Sequence, residues 1–261
     1  MKIRIATWNL NTWRNSRNGG ASNEQQWSWA NKHLAADVLV LTEASTPPPA
    51  AVIANRWTTA HRPYGFPGTS RWGTVLAGRS ASQIRVTRIT HAGIQKHELD
   101  ARFPGTLTAA TMHVNNSPFA TLIGLHLRYR KDKKGNFVGH PVSDLQKHKK
   151  DFQALVESND LPLIIAGDFN FDLEDEEIGF PVPRIFERLA KGDRKLQNPF
   201  PTGLKGTFQQ DWENGGAFNL DFIFLSKRLN ERVVDARGGF EHFEEAIELS
   251  DHVPVLVELE F

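Results

Sequence analysis

The sequence has no cysteine among its 261 residues, which excludes disulfide bonds, thiolate metal sites and cysteine nucleophiles. It has no apolar run that approaches membrane-spanning length, so we expect no membrane insertion. It carries almost no net charge, +1 at neutral pH, so any preference for a polyanion must come from local patches. It also lacks linkers, low-complexity segments and repeats of fixed period, and we therefore expect a single domain over residues 1–261.

The bulk composition is that of a globular protein, with 39% hydrophobic and 23% charged residues. The segment Met1 to Leu10 alternates like a β-strand and has no apolar core of the kind found in signal peptides. We therefore expect a cytoplasmic location, although export by another route stays open. We also expect a monomer.

The most informative stretch is Leu161–Leu173, Leu-Pro-Leu-Ile-Ile-Ala-Gly-Asp-Phe-Asn-Phe-Asp-Leu. Its apolar run predicts a buried strand, and Gly167 predicts a sharp turn after it. Asp168 and Asn170 stand at i and i+2, so they point the same way if the chain stays extended. One could hold a cation or accept a proton, and the other could donate to an anionic oxygen. The alternative is a strand-to-turn junction that simply favours Asp and Asn.

Short apolar or alternating segments predict further strands along the chain. They are Lys2–Trp8, Asp37–Leu41, Gly73–Gly78, Ile84–Thr90, Gly105–Val114, Phe119–Leu125, Asn219–Leu225, Arg232–Ala236 and Val253–Phe261. Capping boxes at Ser22 and Ser143 each precede a helical stripe, and His61–Trp72 is expected to be a loop. Because helices only sometimes separate the strands, the pattern favours an α/β fold with mixed sheets over a purely parallel one.

Polar residues recur at the ends of these strands or within apolar runs. They are Asn9, Glu43, His126, Asp168 with Asn170, Asp221, and Asp251 with His252. Each has an ordinary structural explanation, such as a turn residue or a satisfied core histidine. Asp221 is the hardest to explain in that way, because a carboxylate within Leu-Asp-Phe-Ile-Phe-Leu needs a partner. Together the sites indicate one functional constellation.

This constellation resembles the endonuclease/exonuclease/phosphatase superfamily. The matching elements occur in the family's order and span Trp8 to His252. They are Trp8-Asn9, Glu43, Gly167-Asp168-Phe169-Asn170, Leu220-Asp221-Phe222 and Ser250-Asp251-His252. The resemblance implies a four-layered sandwich of two mixed β-sheets flanked by helices, and metal-dependent hydrolysis of phosphodiester bonds.

The resemblance also implies roles for single residues. Glu43 would be the principal ligand of Mg²⁺, with Mn²⁺ as an alternative, and Asn9 and Asp251 would lie near the metal. Asp168 would orient or deprotonate the attacking water, and Asn170 would hold a phosphate oxygen. His252 would contact the phosphate, with Asp221 bonded to its other ring nitrogen. Whether Asp168 or His252 is the general base stays open.

His126 suggests a branch of the superfamily. AP endonucleases typically carry a tyrosine at the matching strand end, whereas this chain has Leu125-His126-Leu127, as in the deoxyribonuclease, sphingomyelinase and 5-phosphatase branches. In pancreatic-type deoxyribonucleases the matching histidine assists at the scissile phosphate and pairs with a glutamate. His126 is assigned the same role, but the sequence offers no convincing match for that glutamate.

The substrate prediction depends on basic residues beside His126. Arg128, Arg130 and Lys131 follow it directly, and Trp13 with Arg14 could add stacking or charge. They favour DNA or RNA as the substrate, although a charged loop can also be a merely solvated surface. The alternative is a phosphatase or phosphodiesterase for a small phosphorylated metabolite or phospholipid head group. An inactive binding module is disfavoured because every catalytic carboxylate and histidine of the motifs is retained.

Overall fold

The structure of the chain is a computed structural model. The structure describes residues 1–12, 22–50, 54, 56–64, 71–91, 105–128, 148–171, 192–200, 206–209 and 217–261, together with the backbone of 130–131 and 137–139. Within this part of the chain no helix is long and apolar enough to cross a bilayer.

The strands of the described residues are numbered here in chain order. The first eight are β1 (Lys2–Asn9), β2 (Val38–Ser45), β3 (Trp57–Pro63), β4 (Trp72–Arg79), β5 (Ile84–Ile89), β6 (Leu107–Val114), β7 (Ser117–His126) and β8 (Arg130–Lys131). The second eight are β9 (Phe137–Gly139), β10 (Leu163–Asp168), β11 (Leu196–Gln197), β12 (Phe208–Gln209), β13 (Ala217–Phe218), β14 (Asp221–Ser226), β15 (Val233–Gly238) and β16 (Val255–Glu260). The α-helices are α1 (Asn23–Trp29), α2 (Lys149–Glu157), α3 (Lys227–Asn230) and α4 (Phe240–Phe243).

Two six-stranded sheets form the centre of the fold, as the α/β sandwich prediction requires. One has the order β15-β16-β1-β2-β4-β3, and the other has the order β11-β14-β10-β7-β6-β5. Each sheet is mixed, because β1 pairs in parallel with β2 and β10 pairs in parallel with β7, whereas their other neighbours are antiparallel. Two-stranded sheets, β12-β13 and β8-β9, complete the described pairing.

The main core lies between the two sheets. Alternate residues of β1, such as Ile3 and Ile5, share one buried cluster with Leu122 of β7 and with Ile164 and Ala166 of β10. This is the alternation that a strand with one inward face requires.

The helices cover the outer faces of the sheets. Trp27 of α1 joins a cluster with Leu39 and Leu41 of β2, while Phe152 and Leu155 of α2 join a cluster on the second sheet. The predicted capping box that begins α1 is confirmed, because Ser22 Oγ accepts from Gln25 N at 3.2 Å and Gln25 Oε1 accepts from Ser22 N at 2.7 Å. The layers therefore run helix, sheet, sheet, helix.

The predicted loop over His61–Trp72 is wrong at both ends. His61 lies in β3 and Trp72 begins β4, and the two strands pair from Trp57 opposite Arg79 to Pro63 opposite Gly73. The strand was missed because β3 is an edge strand with few buried side chains, so its apolar alternation is weak. The predicted capping box at Ser143 lies outside the described residues.

Candidate active site

Three adjacent strands of the second sheet bring three predicted site residues together. Asp168 at the end of β10 lies opposite His126 of β7 on one side and Asp221 of β14 on the other. The residues are 42 and 53 positions away from Asp168 in the sequence, and the register alone makes them neighbours.

Gly167 permits this register, although not by making the predicted turn. It lies inside β10 with φ of +142°, and a Cβ at this position would stand 1.9 Å from the Leu125 carbonyl oxygen. The turn predicted at Gly167 is therefore wrong, because the residue allows the backbones of β10 and β7 to approach closely at the site.

The other sheet contributes Glu43. Asn9 ends β1 opposite Thr42, and the register of β2 against β4 shifts between Leu41 and Ala44. Glu43 lies in this irregularity with φ of +47°, a conformation that a residue with a Cβ adopts only at a cost. A bulge of this kind redirects a side chain, and here the carboxylate of Glu43 reaches His126, with Oε1 3.4 Å from Nε2.

The segment before β16 is fastened to the end of β1. Ser250 Oγ donates to the Asn9 carbonyl oxygen at 2.7 Å, and the indole N–H of Trp8 donates to the His252 carbonyl oxygen at 2.8 Å. These bonds join the Ser250-Asp251-His252 segment to the Trp8-Asn9 end of β1. They fix His252 at the junction of the two sheets, where the ring of Phe208 packs 4.7 Å from its centroid.

Asp168 accepts several hydrogen bonds at the centre of the site. Asn9 Nδ2 donates to its Oδ2 at 2.8 Å, Asn170 Nδ2 donates to the same oxygen at 2.8 Å, and Asn170 N donates to Oδ1 at 2.8 Å. The chain does not stay extended as predicted, because Asn170 has φ of +54° and folds back over Asp168. Its amide also donates to the Leu127 carbonyl oxygen at 2.8 Å. The predicted contact of Asn170 with a phosphate oxygen stays a prediction.

Two buried histidines face Asp168 from different sides. His252 Nε2 is 4.0 Å and His126 Nε2 is 3.7 Å from Asp168 Oδ2. Behind His252, Nδ1 lies 2.7 Å from Asp221 Oδ2, the partner that the buried carboxylate needed. Behind His126, Nδ1 is hydrogen-bonded to the hydroxyl group of Tyr64.

The two histidines have opposite pKa shifts. Burial opposes the charge of His252, but the adjacent Asp221 carboxylate outweighs it and raises the pKa of His252 to about 10. Burial and the neighbouring charge of Arg128 hold the pKa of His126 well below its ordinary value. One ring is therefore an imidazolium at neutral pH, and the other is neutral.

The carboxyl groups are shifted as well. Burial raises the pKa of Asp168, and the nearby Asp221 adds to the shift while His252 opposes it. Burial also raises the pKa of Glu43, although a quarter of its side chain stays exposed, and His252 acts against that shift. The charge of Asp251 raises the pKa of Glu43 further, which is the repulsion expected between neighbouring carboxylates.

Two supporting residues were missed in the sequence. The hydroxyl of Tyr64 occupies the position behind His126, and burial raises its pKa well above the ordinary value, so it stays protonated. The hydroxyl oxygen of Thr207 accepts from the main-chain N–H groups of Leu220 at 2.9 Å and Asp221 at 3.0 Å. Neither lies in a motif, and Tyr64 fell in a segment that was expected to be a loop.

A divalent cation fits the donors near Glu43 in part. Among the described residues no group of three or more His, Cys, Asp or Glu side chains could hold a metal ion. Mg²⁺ does not require such a group, because it usually keeps several waters and binds one or two carboxylates. The neighbouring carboxylates of Glu43 and Asp251 meet that requirement. The side-chain amide of Asn9 donates to Asp168 and so positions that carboxylate, and its interaction with Glu43 opposes the rise in the pKa of that carboxyl.

The structure describes only some of the predicted substrate-binding residues. Arg128 is half-buried, and its guanidinium carbon lies 5.7 Å from the centre of the Tyr64 ring. Arg130 and Lys131 form β8, which pairs with β9, and only their backbone is described. Trp13 and Arg14 lie outside the described residues.

A comparison with protein families gives a match over most of the chain. The sequence profile of the Endonuclease/Exonuclease/phosphatase family matches residues 6–252. No curated protein matches the chain.

Solved structures of similar fold cover nearly the whole chain. They include an AP endonuclease from Archaeoglobus fulgidus (15% identity, TM-score 0.64, covering 99% of this chain and 100% of that one). They include the 3' phosphatase NExo from Neisseria bound to product DNA hairpin (18% identity, TM-score 0.63, covering 99% of this chain and 100% of that one). They also include the human Nocturnin catalytic domain with bound sulfate (16% identity, TM-score 0.61, covering 100% of this chain and 93% of that one). At such identities the likeness shows the fold, and the branch indicated by His126 stays a prediction.

Proposed function

The chain belongs to the endonuclease/exonuclease/phosphatase family, and on that premise we propose that it is a metal-dependent nuclease that hydrolyses phosphodiester bonds of DNA or RNA. The observation that carries this proposal is the convergence of two imidazole Nε2 atoms on Asp168, at 3.7 and 4.0 Å, beside the carboxylate of Glu43. A phosphate group placed there would meet a positive ring, a neutral ring and a carboxylate base.

Asp168 is assigned as the group that orients and deprotonates the attacking water. Three hydrogen bonds from Asn9 and Asn170 fix its orientation, and burial raises its pKa toward the range in which a general base works best. We infer that Asp168 rather than His252 accepts the proton, because the pKa of His252 is raised and its ring would already carry one.

His252 is assigned to stabilise charge on the phosphate. Asp221 holds Nδ1, so the Nε2–H group of the imidazolium faces the site and can donate to a phosphate oxygen or to the leaving oxygen. His126 presents its Nε2 on the opposite side of Asp168 and can donate a second hydrogen bond.

Glu43 and Asp251 would hold Mg²⁺, or Mn²⁺ in its place, with Asn9 positioning the carboxylates. The bound ion would neutralise phosphate charge and increase the acidity of a bound water. The residues of the chain supply the remaining functions, namely orientation of the water, proton acceptance at Asp168 and proton donation at His252.

A nucleic-acid substrate is supported by charge next to the site. The guanidinium group of Arg128 lies on the His126 side, and two further basic residues, Arg130 and Lys131, form the following strand. Phosphate contacts supply most of the affinity for nucleic acids. The similar fold of NExo, whose structure contains a DNA hairpin, gives independent support.

Nicking of supercoiled plasmid in the presence of Mg²⁺ tests the proposal. We expect nicking by the wild-type protein that is lost with EDTA and in His252→Ala, and retained in His91→Ala, a matched change at an exposed histidine. Absence of nicking by folded, metal-supplied protein would contradict a DNA nuclease. The same protein would then be assayed on RNA, and cleavage of small phosphoesters alone would overturn the nuclease proposal.

A further inference from the structure

Tyr64 is held firmly against His126. It directly follows β3, its main-chain N–H donates to the Trp72 carbonyl oxygen, and its side chain is buried. The two ring centres are 5.6 Å apart. Gly105, with φ of +88°, makes room for the phenol ring, since a Cβ there would lie 2.6 Å from Tyr64 Cδ1. The contact is thus built by three separate segments of the chain.

The direction of the hydrogen bond between Tyr64 and His126 follows from what surrounds the other ring nitrogen. His126 Nε2 lies 3.4 Å from Glu43 Oε1 and 3.7 Å from Asp168 Oδ2. A lone pair on Nε2 would point at two acidic oxygens, whereas an N–H group would be attracted by them. A neutral imidazole has one donor and one acceptor, so a proton on Nε2 leaves Nδ1 as the acceptor.

The phenol can satisfy that requirement. A tyrosine hydroxyl donates one hydrogen bond and can accept others, and the Tyr64 hydroxyl is hydrogen-bonded to His126 Nδ1. The phenol proton is then available for His126 Nδ1. The guanidinium group of Arg128 lies over the ring of Tyr64, next to this hydrogen bond.

We propose that Tyr64 is a positioning residue that donates to Nδ1 of His126 and so keeps the proton of this ring on Nε2, facing Glu43 and Asp168. A carboxylate in the place of Tyr64 would accept from Nδ1 and favour the opposite tautomer or the cation. The phenol therefore provides a neutral ring with a fixed donor. The kinetic consequence rests on the proposed hydrolysis, whereas the tautomer does not.

Nitrogen NMR of ¹⁵N-histidine-labelled protein without metal tests the tautomer directly. The signals of His126 are assigned by their loss in His126→Gln. We expect the wild type to carry the proton on Nε2 and Tyr64→Phe to show the other tautomer or a mixture. A wild-type ring protonated on Nδ1, or an unchanged tautomer in Tyr64→Phe, would overturn the proposal. The wild-type measurement decides even if the variant does not fold.

Kinetics provide the second test. Loss of a residue that orients a catalytic group through one hydrogen bond lowers activity roughly 10- to 100-fold by analogy with the outer-shell partners of metal ligands. We expect Tyr64→Phe to lower kcat by this order with little change in KM, and to add no further loss in a His126→Gln background. Losses that multiply would show that Tyr64 does not act through His126.

A control removes a hydroxyl from β3, the strand that Tyr64 follows, at a distance from the site. Thr58 Oγ1 accepts from Val86 N at 2.9 Å, so Thr58→Val costs a hydrogen bond without touching His126. We expect this variant to lose some thermal stability and to keep the wild-type tautomer and kcat. If no wild-type hydrolysis is found on any phosphoester, the proposed function fails, while the NMR result still decides the role of Tyr64.

Discussion

The site has two halves that place the same side chain in different surroundings. The His252 half comprises His252, Asp221 and Thr207, and the His126 half comprises His126, Tyr64 and Arg128. Both imidazoles are 5% exposed, and both direct Nε2 at Asp168. The halves differ in the group behind Nδ1, which is a carboxylate at 2.7 Å in one and a phenol in the other.

This difference, together with the positive charge of Arg128 beside His126, separates the charges of the two rings. Burial disfavours the imidazolium in both halves, so burial alone would leave both rings neutral. The carboxylate of Asp221 overcomes burial and raises the pKa of His252, whereas the protonated phenol of Tyr64 gives no such charge and the pKa of His126 stays low. On the proposed mechanism, the partner of Nδ1 therefore favours His252 as the ring that would stabilise charge and His126 as the neutral donor.

The largest effect is expected at Asp168, which both halves share. We expect Asp168→Ala to lower kcat/KM by roughly 10²- to 10⁴-fold or more, because the water loses its orienting base, and His252→Ala to act within the same range. The double variant should cost less than the product of the two losses, since such residues act as a unit. Activity would be measured on plasmid and on a labelled oligonucleotide, with thermal unfolding to verify the fold. Asp193→Ala, at an exposed position, is the control, and near-normal activity of folded Asp168→Ala would refute the mechanism.

A smaller effect is expected when the His252 half is made to resemble the His126 half. In Asp221→Asn the burial of His252 remains and the adjacent carboxylate that raises its pKa most is lost, so its pKa should fall from about 10 toward the ordinary 6.5. Wild-type His252 stays charged until the pH rises through about 10, because its pKa is raised in the folded protein. The free energy of unfolding that this charge contributes is therefore complete below pH 6.5 and is lost as the pH rises toward 10. The variant ring should be neutral at pH 8.

An NMR titration of His252 and the pH dependence of kcat measure the pKa of His252 in Asp221→Asn and its effect on activity. We expect Asp221→Asn to keep more activity at pH 6 than at pH 8, because a charged His252 ring would stabilise the phosphate better than a neutral one. Glu241→Gln, at an exposed position, should leave the titration unchanged. If His252 still titrated near pH 10 in Asp221→Asn, the carboxylate would not be the cause of its charge.

The sequence predicts the His252 half better than the His126 half. Asp221 stands out because an acidic residue in an apolar run requires a partner, and the structure places His252 Nδ1 at 2.7 Å. The strand ends that carry Asn9, His126 and Asp168 were also predictable, because the apolar patterns of central strands are strong. The resemblance then supplied the sandwich fold, which periodicity alone did not determine.

The His126 half depends on features that short patterns do not encode. Tyr64 and His126 are 62 residues apart and meet through an edge strand whose apolar alternation is weak. Glu43 is directed by a register shift and a positive φ, which propensity does not predict for glutamate. For the same reason Asn170 was expected to be extended and Gly167 to turn. Register and local backbone geometry are decided by the packing of the two sheets.

The smallest effect is expected at Arg128, which only the His126 half has. Its charge lowers the pKa of His126 and its side chain covers Tyr64, so it can bind a phosphate without taking part in proton transfer. We expect Arg128→Gln to raise KM for DNA while kcat stays within a few-fold. Each phosphate contact contributes nearly one unit to the slope of log affinity against log salt concentration, so the slope should fall by about one.

Binding of a duplex oligonucleotide in EDTA, measured at increasing NaCl concentration, tests this expectation. Arg85→Gln is the matched control, because Arg85 is an exposed arginine of β5. An unchanged slope and KM in Arg128→Gln would remove Arg128 from the substrate contacts. Arg128 would then act only on the pKa of His126, and the case for a polyanionic substrate would rest on the remaining basic residues.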